Sequence, residues 1–212
     1  MALSLSDLAE DKPTIDKLGL KARFYYEFGR FICAFAMVEM VTHALFRNVS
    51  EIDDVKARAI VGGFRLTELI QTIQRIAAIN SENEKDNGQK EITMLFDQLN
   101  TITAFRHALV HRGATVGEDE IVSTNILTAK TMRSIEELRF GIDDIRKATD
   151  DLEVIAIRLG VLMEEQDIQF DPEALTYLHA PWRYKPVRPS NWLTRILAEN
   201  LRQPIPPQPS EA

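Results

Sequence analysis

Proline placement constrains this chain more than any other feature. Pro13 is followed by no proline until Pro172, and the rest run from there to Pro209. A proline inside a helix removes a backbone hydrogen bond and clashes with the preceding turn. Residues 14–171 are therefore free to be helical throughout, and the proline-rich end is not. A length of 212 residues suits one domain with an appendage. The expected parts are an N-terminal arm at 1–13, a helical domain at 14–168 and a Pro/Trp-containing C-terminal tail at 169–212.

Four segments carry apolar residues at helical spacing. The first runs from about Ala22 to Arg47, with Phe24, Phe28, Phe31, Phe35, Val38, Thr42 and Leu45 as its stripe. The second, about Asp53 to Asn80, carries Val55, Ala59, Gly62, Leu66, Leu69, Ile73 and Ile76; the pair Gly62-Gly63 predicts a kink or a close approach there. The polar run at 81–91 breaks the pattern. The third segment spans about Gln89 to His111 with Ile92, Leu95, Leu99 and Ile102, and Gly113 is a good stop, because glycine accepts the left-handed conformation. The fourth runs from about Ser134 to Gln166, with Ser134 and Glu137 in capping-box spacing.

Such stripes predict an all-α fold, a bundle of four to five helices. The connection from Arg112 to Met132 is long for a bundle, and a short β-hairpin fits it. In the tail, Ser190 to Leu201 predicts a short amphipathic helix capped by Ser190, and the tail is expected to dock on its own body. The apolar run Phe31 to Val38 stops at Glu39, short of a membrane span, and the N-terminus lacks the pattern of a secretory signal. A cytoplasmic protein with no membrane partner is the expectation. The single cysteine, Cys33, excludes an internal disulfide and a multi-cysteine zinc site. A net charge of −7 argues against a broad nucleic-acid-coating surface but leaves room for a small cationic site.

That site falls late in the third segment. Continuing the stripe 92-95-99-102 by the same spacing reaches Arg106, where an aliphatic residue is expected. An inward arginine must be paired or must line a polar cleft. His107 and His111 are four apart and share a face, Asn100 and Thr103 extend the polar surface, and Arg112 adds a cation at the helix end. Glu39, inside the most apolar segment, either reaches solvent or answers Arg106 or a histidine of this cluster. His107 and His111 have metal-ligand spacing, but Ala-Leu-Val between them lacks the glutamate of a zinc-peptidase helix, so neither metal nor cofactor is expected.

Arg106-His107-Ala-Leu-Val-His111 resembles the R-x(4–6)-H signature of HEPN domains, in which a polar residue commonly follows the arginine. The motif's place, late in the third long helix of a bundle, is similar too, and the resemblance covers about residues 14–168. It implies a metal-independent endoribonuclease acting on RNA as a homodimer, with Arg106 and His111 catalytic and His107, Glu39, Asn100, Thr103 and Arg112 in support. It also implies a toxin or defence role, with an antitoxin or other protein partner. Several toxin members carry a tyrosine two residues after the histidine, where Gly113 stands here. The alternative implied is a non-catalytic HEPN-like dimerisation or interaction module.

Overall fold

The structure is a computed structural model that describes residues 17–80, 87–117, 120–163 and 181–196. The arm at 1–13 and the expected helix positions 164–166 and 197–201 lie outside the described residues. The described residues are mostly helical, with a small antiparallel sheet. In order, the elements are α1 (Leu20–Ser50), α2 (Asp54–Val61), α3 (Leu66–Asn80), α4 (Asn87–Arg112), β1 (Thr115–Val116), β2 (Ile121–Thr124), a 3-10 turn (Met132–Ser134), β3 (Glu136–Phe140), α5 (Ile142–Leu162) and β4 (Ser190–Asn191). They form two compact units. The first comprises Met1–Ala104 and Ile142–Pro186, the second Phe105–Gly141 and Val187–Ala212.

In the first unit α1 packs chiefly along α5 and also on α3. Its stripe is buried as the spacing predicts, at Phe24, Phe31, Phe35, Val38, Thr42 and Leu45. Phe28 is only half-buried and stacks on Phe24 with ring centroids 5.6 Å apart. Each fully buried Phe or Leu contributes roughly 1.5–3 kcal/mol relative to exposure. A carboxylate of α1 is buried here. Glu27 is 1% exposed and accepts hydrogen bonds from Arg146 Nε at 2.6 Å and Arg30 Nη1 at 3.3 Å. Arg30 also reaches Glu153 at 3.5 Å.

The second predicted helix is two. α2 ends at Val61, and a Cβ on Gly62 would lie 2.5 Å from the Arg58 carbonyl oxygen, so the turn needs glycine. The break resets the helical phase. Ala57 and Val61 are buried on α2, and Val55, placed in the core by an unbroken stripe, is 77% exposed. On α3 the buried residues are Leu69, Ile70, Ile73 and Ala77.

By length and composition α1 can also cross a bilayer, since its most apolar 18 residues have a mean hydropathy of 1.4. Counting unbroken apolar residues, as Phe31 to Val38, understates this because Glu39 interrupts the run.

Residues 181–186 dock on the first unit. Asp151, buried on α5, accepts hydrogen bonds from the Arg183 and Tyr184 backbone N–H groups, both at 2.9 Å, and from Gln98 Nε2 of α4 at 2.7 Å. Trp182 lies under the Arg158 guanidinium, 5.3 Å from ring centroid to Cζ.

The second unit holds a four-stranded antiparallel sheet in the order β1-β2-β3-β4. It occupies more chain than a hairpin between the third and fourth helices. Residues 136–140, expected as the first turns of the fourth helix, are strand β3, with Ile121 opposite Phe140 and Thr124 opposite Glu137. Glu137 is not a capping residue. Its buried carboxylate takes a bidentate grip from Arg195, at 2.6 and 3.1 Å. Ser134 is instead bonded to Thr131 across the 3-10 turn. The tail joins this unit through β4, in which Ser190 pairs with Glu137, and residues 192–196 then turn helical. Asn191, not Ser190, caps that turn by accepting from the Thr194 N–H at 3.1 Å.

Candidate functional site

α4 runs unbroken through the motif and stops at Arg112, where Gly113 adopts a φ of 74°, as the glycine predicts. The core stripe does not pass through Arg106. It steps by three from Ile102 to Phe105 and continues at Ala108 and Leu109, all buried. Within the second unit Phe105 meets Phe140 edge-on at 5.3 Å, and Ser123 Oγ donates to the Ala108 carbonyl at 3.1 Å. These contacts fix the rotation of the helix's last turns. Arg106 is left beside the core and half-buried, rather than in it.

Rotation about the axis then sets what each motif residue faces. His107 and His111 are exposed and adjacent, with ring centroids 4.5 Å apart and planes tilted by 45°. His107 is held below the usual 6.5 of an imidazole, first by loss of solvent and then by repulsion from His111, Arg112 and Arg106. The shift favours the neutral imidazole, the form that accepts a proton. Arg106 and His111 are five residues apart, which on a helix is about 140° of rotation and about 7.5 Å of rise. One copy of the motif thus splays its arginine from its second histidine.

The supporting residues separate. Arg112 Nη2 donates to Glu136 Oε2 on β3 at 3.1 Å, so its charge is answered within the second unit. Asn100 and Thr103 lie on the first unit's stretch of α4. Asn100 is exposed, and the Thr103 hydroxyl donates to the Leu99 carbonyl at 2.8 Å, leaving no proton to offer elsewhere. Glu39, also in the first unit, is half-exposed and makes no hydrogen bond or ion pair among the described residues. The buried acid of α1 is Glu27, twelve positions earlier, and it is bound by arginines of the first unit.

Glu136 was not readable as part of the cluster, because it lies in a stretch that also scans as helix. Among the described residues no group of three or more His, Cys, Asp or Glu could hold a metal ion. Comparison with family models, with curated proteins and with solved structures finds no match for this chain.

Proposed function

We propose that this chain is a metal-independent endoribonuclease of the HEPN type. The observation that carries the proposal is the imidazole pair His107 and His111 on an open helix face, with ring centroids 4.5 Å apart and Arg106 next to His107 in sequence. A neutral imidazole takes the proton from a ribose 2′-hydroxyl. The 2′-oxygen attacks the adjacent phosphorus, the bond from phosphorus to the 5′-oxygen breaks, and an imidazolium returns a proton to that oxygen. The products are a 2′,3′-cyclic phosphate and a 5′-hydroxyl. Arg106 binds the phosphate and stabilises its developing charge. Because Arg106 and His111 diverge on one helix, a homodimer that brings two motifs together supplies the second acid–base group. No metal, cofactor or membrane enters this scheme. A toxin or defence role with a cognate antitoxin follows from the resemblance alone.

The test is cleavage of RNA by purified protein in EDTA, with end-group analysis of the products. Ala at Arg106, His107 or His111 is expected to lower the rate by roughly 10²-fold or more, with an unchanged circular dichroism spectrum. Cleavage that all three variants retain sinks the proposal.

A second reading, a non-catalytic HEPN-like interaction module, is favoured by one observation. Arg112 is occupied by Glu136, which leaves little cationic surface for RNA on a chain of net charge −7. Absence of cleavage together with altered self-association in the same variants selects it.

A further inference from the structure

A cavity of about 460 Å³ opens on the first unit where α4 meets Trp182. Lys90, Met94, Asp97 and Gln98 line it from α4, and Trp182 lines it from the docked tail. The volume falls in the usual range for small-molecule sites, about 300–1,000 Å³. None of these residues belongs to the core stripe of α4 or to the histidine motif.

The aromatic wall is fixed from several sides. Asp151 takes the backbone N–H groups of Arg183 and Tyr184, and Gln98 Nε2 donates to the Tyr184 carbonyl at 3.2 Å. Arg158 lies over the Trp182 ring, and its own Nε donates to Glu91 at 2.6 Å. A second cation on Trp182 would be repelled by Arg158, so the ring suits a neutral planar partner.

Gln98 is 9% exposed and still lines the cavity. Its Nε2 faces two oxygens, Asp151 Oδ2 at 2.7 Å and the Tyr184 carbonyl, which fixes the orientation of the amide and leaves Oε1 for the cavity. That oxygen accepts no hydrogen bond among the described residues. A buried acceptor without a donor is costly, so an occupant that brings one is favoured. Next in sequence, the exposed Asp97 carboxylate also takes no hydrogen bond or ion pair among the described residues. The Thr93 and Thr101 hydroxyls beside them spend their protons on the Gln89 and Asp97 carbonyls, at 2.9 and 3.0 Å. The cavity thus offers two adjacent acceptors beside an aromatic wall. Lys90, two turns before Asp97 and about 10.5 Å along the helix, offers a cation at the other end.

We propose that this cavity binds a guanine nucleotide. On its pairing edge guanine carries N1–H beside an amino group, two adjacent donors that no other RNA base presents. Gln98 Oε1 and the Asp97 carboxylate take those donors. The base lies against Trp182 and Met94, and the phosphate, at the end of the nucleotide away from that edge, meets Lys90. A free nucleotide and a guanosine in single-stranded RNA offer the same chemistry. The site uses no motif residue and does not rest on the RNA-cleaving reading.

Calorimetry on the full chain should show guanosine monophosphate binding about tenfold or more tighter than the adenosine, cytidine and uridine monophosphates. Trp192→Phe leaves Trp182 as the chain's one tryptophan, and guanosine monophosphate should quench its fluorescence. Lys90→Gln should weaken guanosine monophosphate several-fold and leave guanosine unchanged. Asp97→Asn, at an exposed position, should turn the preference toward xanthosine monophosphate, in which an oxygen replaces the amino group. A 2′-O-methyl hexanucleotide with one guanosine, which cannot be cleaved by 2′-oxygen attack, names the source. Tighter binding than the mononucleotide assigns the site to RNA, weaker binding assigns it to the free nucleotide, and both uphold a guanine site. Three results overturn the proposal: no binding of guanosine monophosphate at about 1 mM, equal binding of all four nucleotides, or a preference that Asp97→Asn leaves unchanged. Binding of spermidine in place of the nucleotide gives the cavity to a cation and overturns it as well. RNA cleavage enters none of these readouts, so failure of the nuclease proposal leaves them unchanged.

Discussion

Glu27 shows how a charge is tolerated in the core of the first unit. A buried carboxylate is costly unless its oxygens are answered. Here Arg146 and Arg30 answer it, and Arg30 is shared with Glu153. Burial pushes the Glu153 carboxyl above its ordinary 4.5, although the Arg30 charge opposes this. Removing Glu27 takes the buried partner from two part-buried guanidinium groups, leaving Arg30 with Glu153 and Arg146 with Asp143 at 3.8 Å. Glu27→Ala is therefore expected to cost about 3 kcal/mol, read from urea unfolding, because breaking a buried pair exceeds the pair's own net worth. Glu27→Met should cost less than Glu27→Ala, since it keeps the packing. His107 is the second residue whose protonation its surroundings shift. Its pKa is lowered from 6.5, first by partial loss of solvent beside its neighbours and then by repulsion from His111, Arg112 and Arg106. In an imidazole NMR titration, Arg112→Ala should raise the His107 pKa by less than the whole depression, because burial remains. If His107 also serves as the base, the acid limb of the pH–rate profile should move up with it.

At the scale of elements, the glycine pair between α2 and α3 separates local strain from propensity. Gly62→Ala would place a methyl 2.5 Å from a backbone oxygen, and backbone cannot give way cheaply. A loss of about 1–3 kcal/mol is expected. Gly63→Ala meets nothing within 4 Å and should be neutral or stabilising by about 0.5 kcal/mol. Thermal unfolding of the two variants side by side reads the difference, and equal effects would refute the steric account. The same break shows what was legible from sequence. The stripe of α1 was readable because it runs unbroken from Phe24 to Leu45, through about six turns. The phase of α2 was not, since one turn at Gly62 discards the register of all residues before it. Arg106 was misplaced for a smaller reason: a step of three to Phe105 and a step of four to Arg106 both continue the stripe, and only the contact with Phe140 chooses. β3 was hidden because Ile135, Leu138 and Ile142 are three and four apart, as on a helix, and the strand's own alternation shows only in Leu138 and Phe140. Strand pairing with β2 and β4 is non-local, and β4 comes from the tail some fifty residues later. Of the candidate site, the His107–His111 pairing followed from helix geometry alone, and the Arg112–Glu136 contact needed the sheet.

At the scale of the molecule, stability should vary with pH in a manner set by a few carboxyl groups, and Asp151 is the most informative. Burial raises its pKa above 3.8, and the N–H groups of Arg183, Tyr184 and Gln98 only partly offset this. A carboxyl whose folded pKa is raised binds its proton more tightly in the folded state. Its contribution to stability is complete below the unfolded value of 3.8 and is lost as pH rises through the folded pKa. Glu153 acts in the same sense from 4.5. Two groups oppose them in other windows. Asp53, lowered from 3.8 chiefly by the side-chain bond with Lys56, loses its contribution only as pH falls below 3.8. His107, lowered from 6.5, loses its contribution as pH falls below that value. Asp151→Asn removes one term and leaves the others. It also weakens the anchor of residues 183 and 184, which lowers stability by a pH-independent amount. The difference in unfolding free energy between wild type and Asp151→Asn should therefore grow in favour of the wild type as pH falls from 7 toward 4, and level off near 3.8. Urea midpoints measured across that range decide the matter: a difference that stays constant shows that the Asp151 carboxyl is not raised. Trypsin cleavage after Arg183, at a pH where the protease is active, gives an independent readout. It should be faster in the variant at every such pH, because that loss comes from hydrogen bonds holding the tail to α5 rather than from a proton.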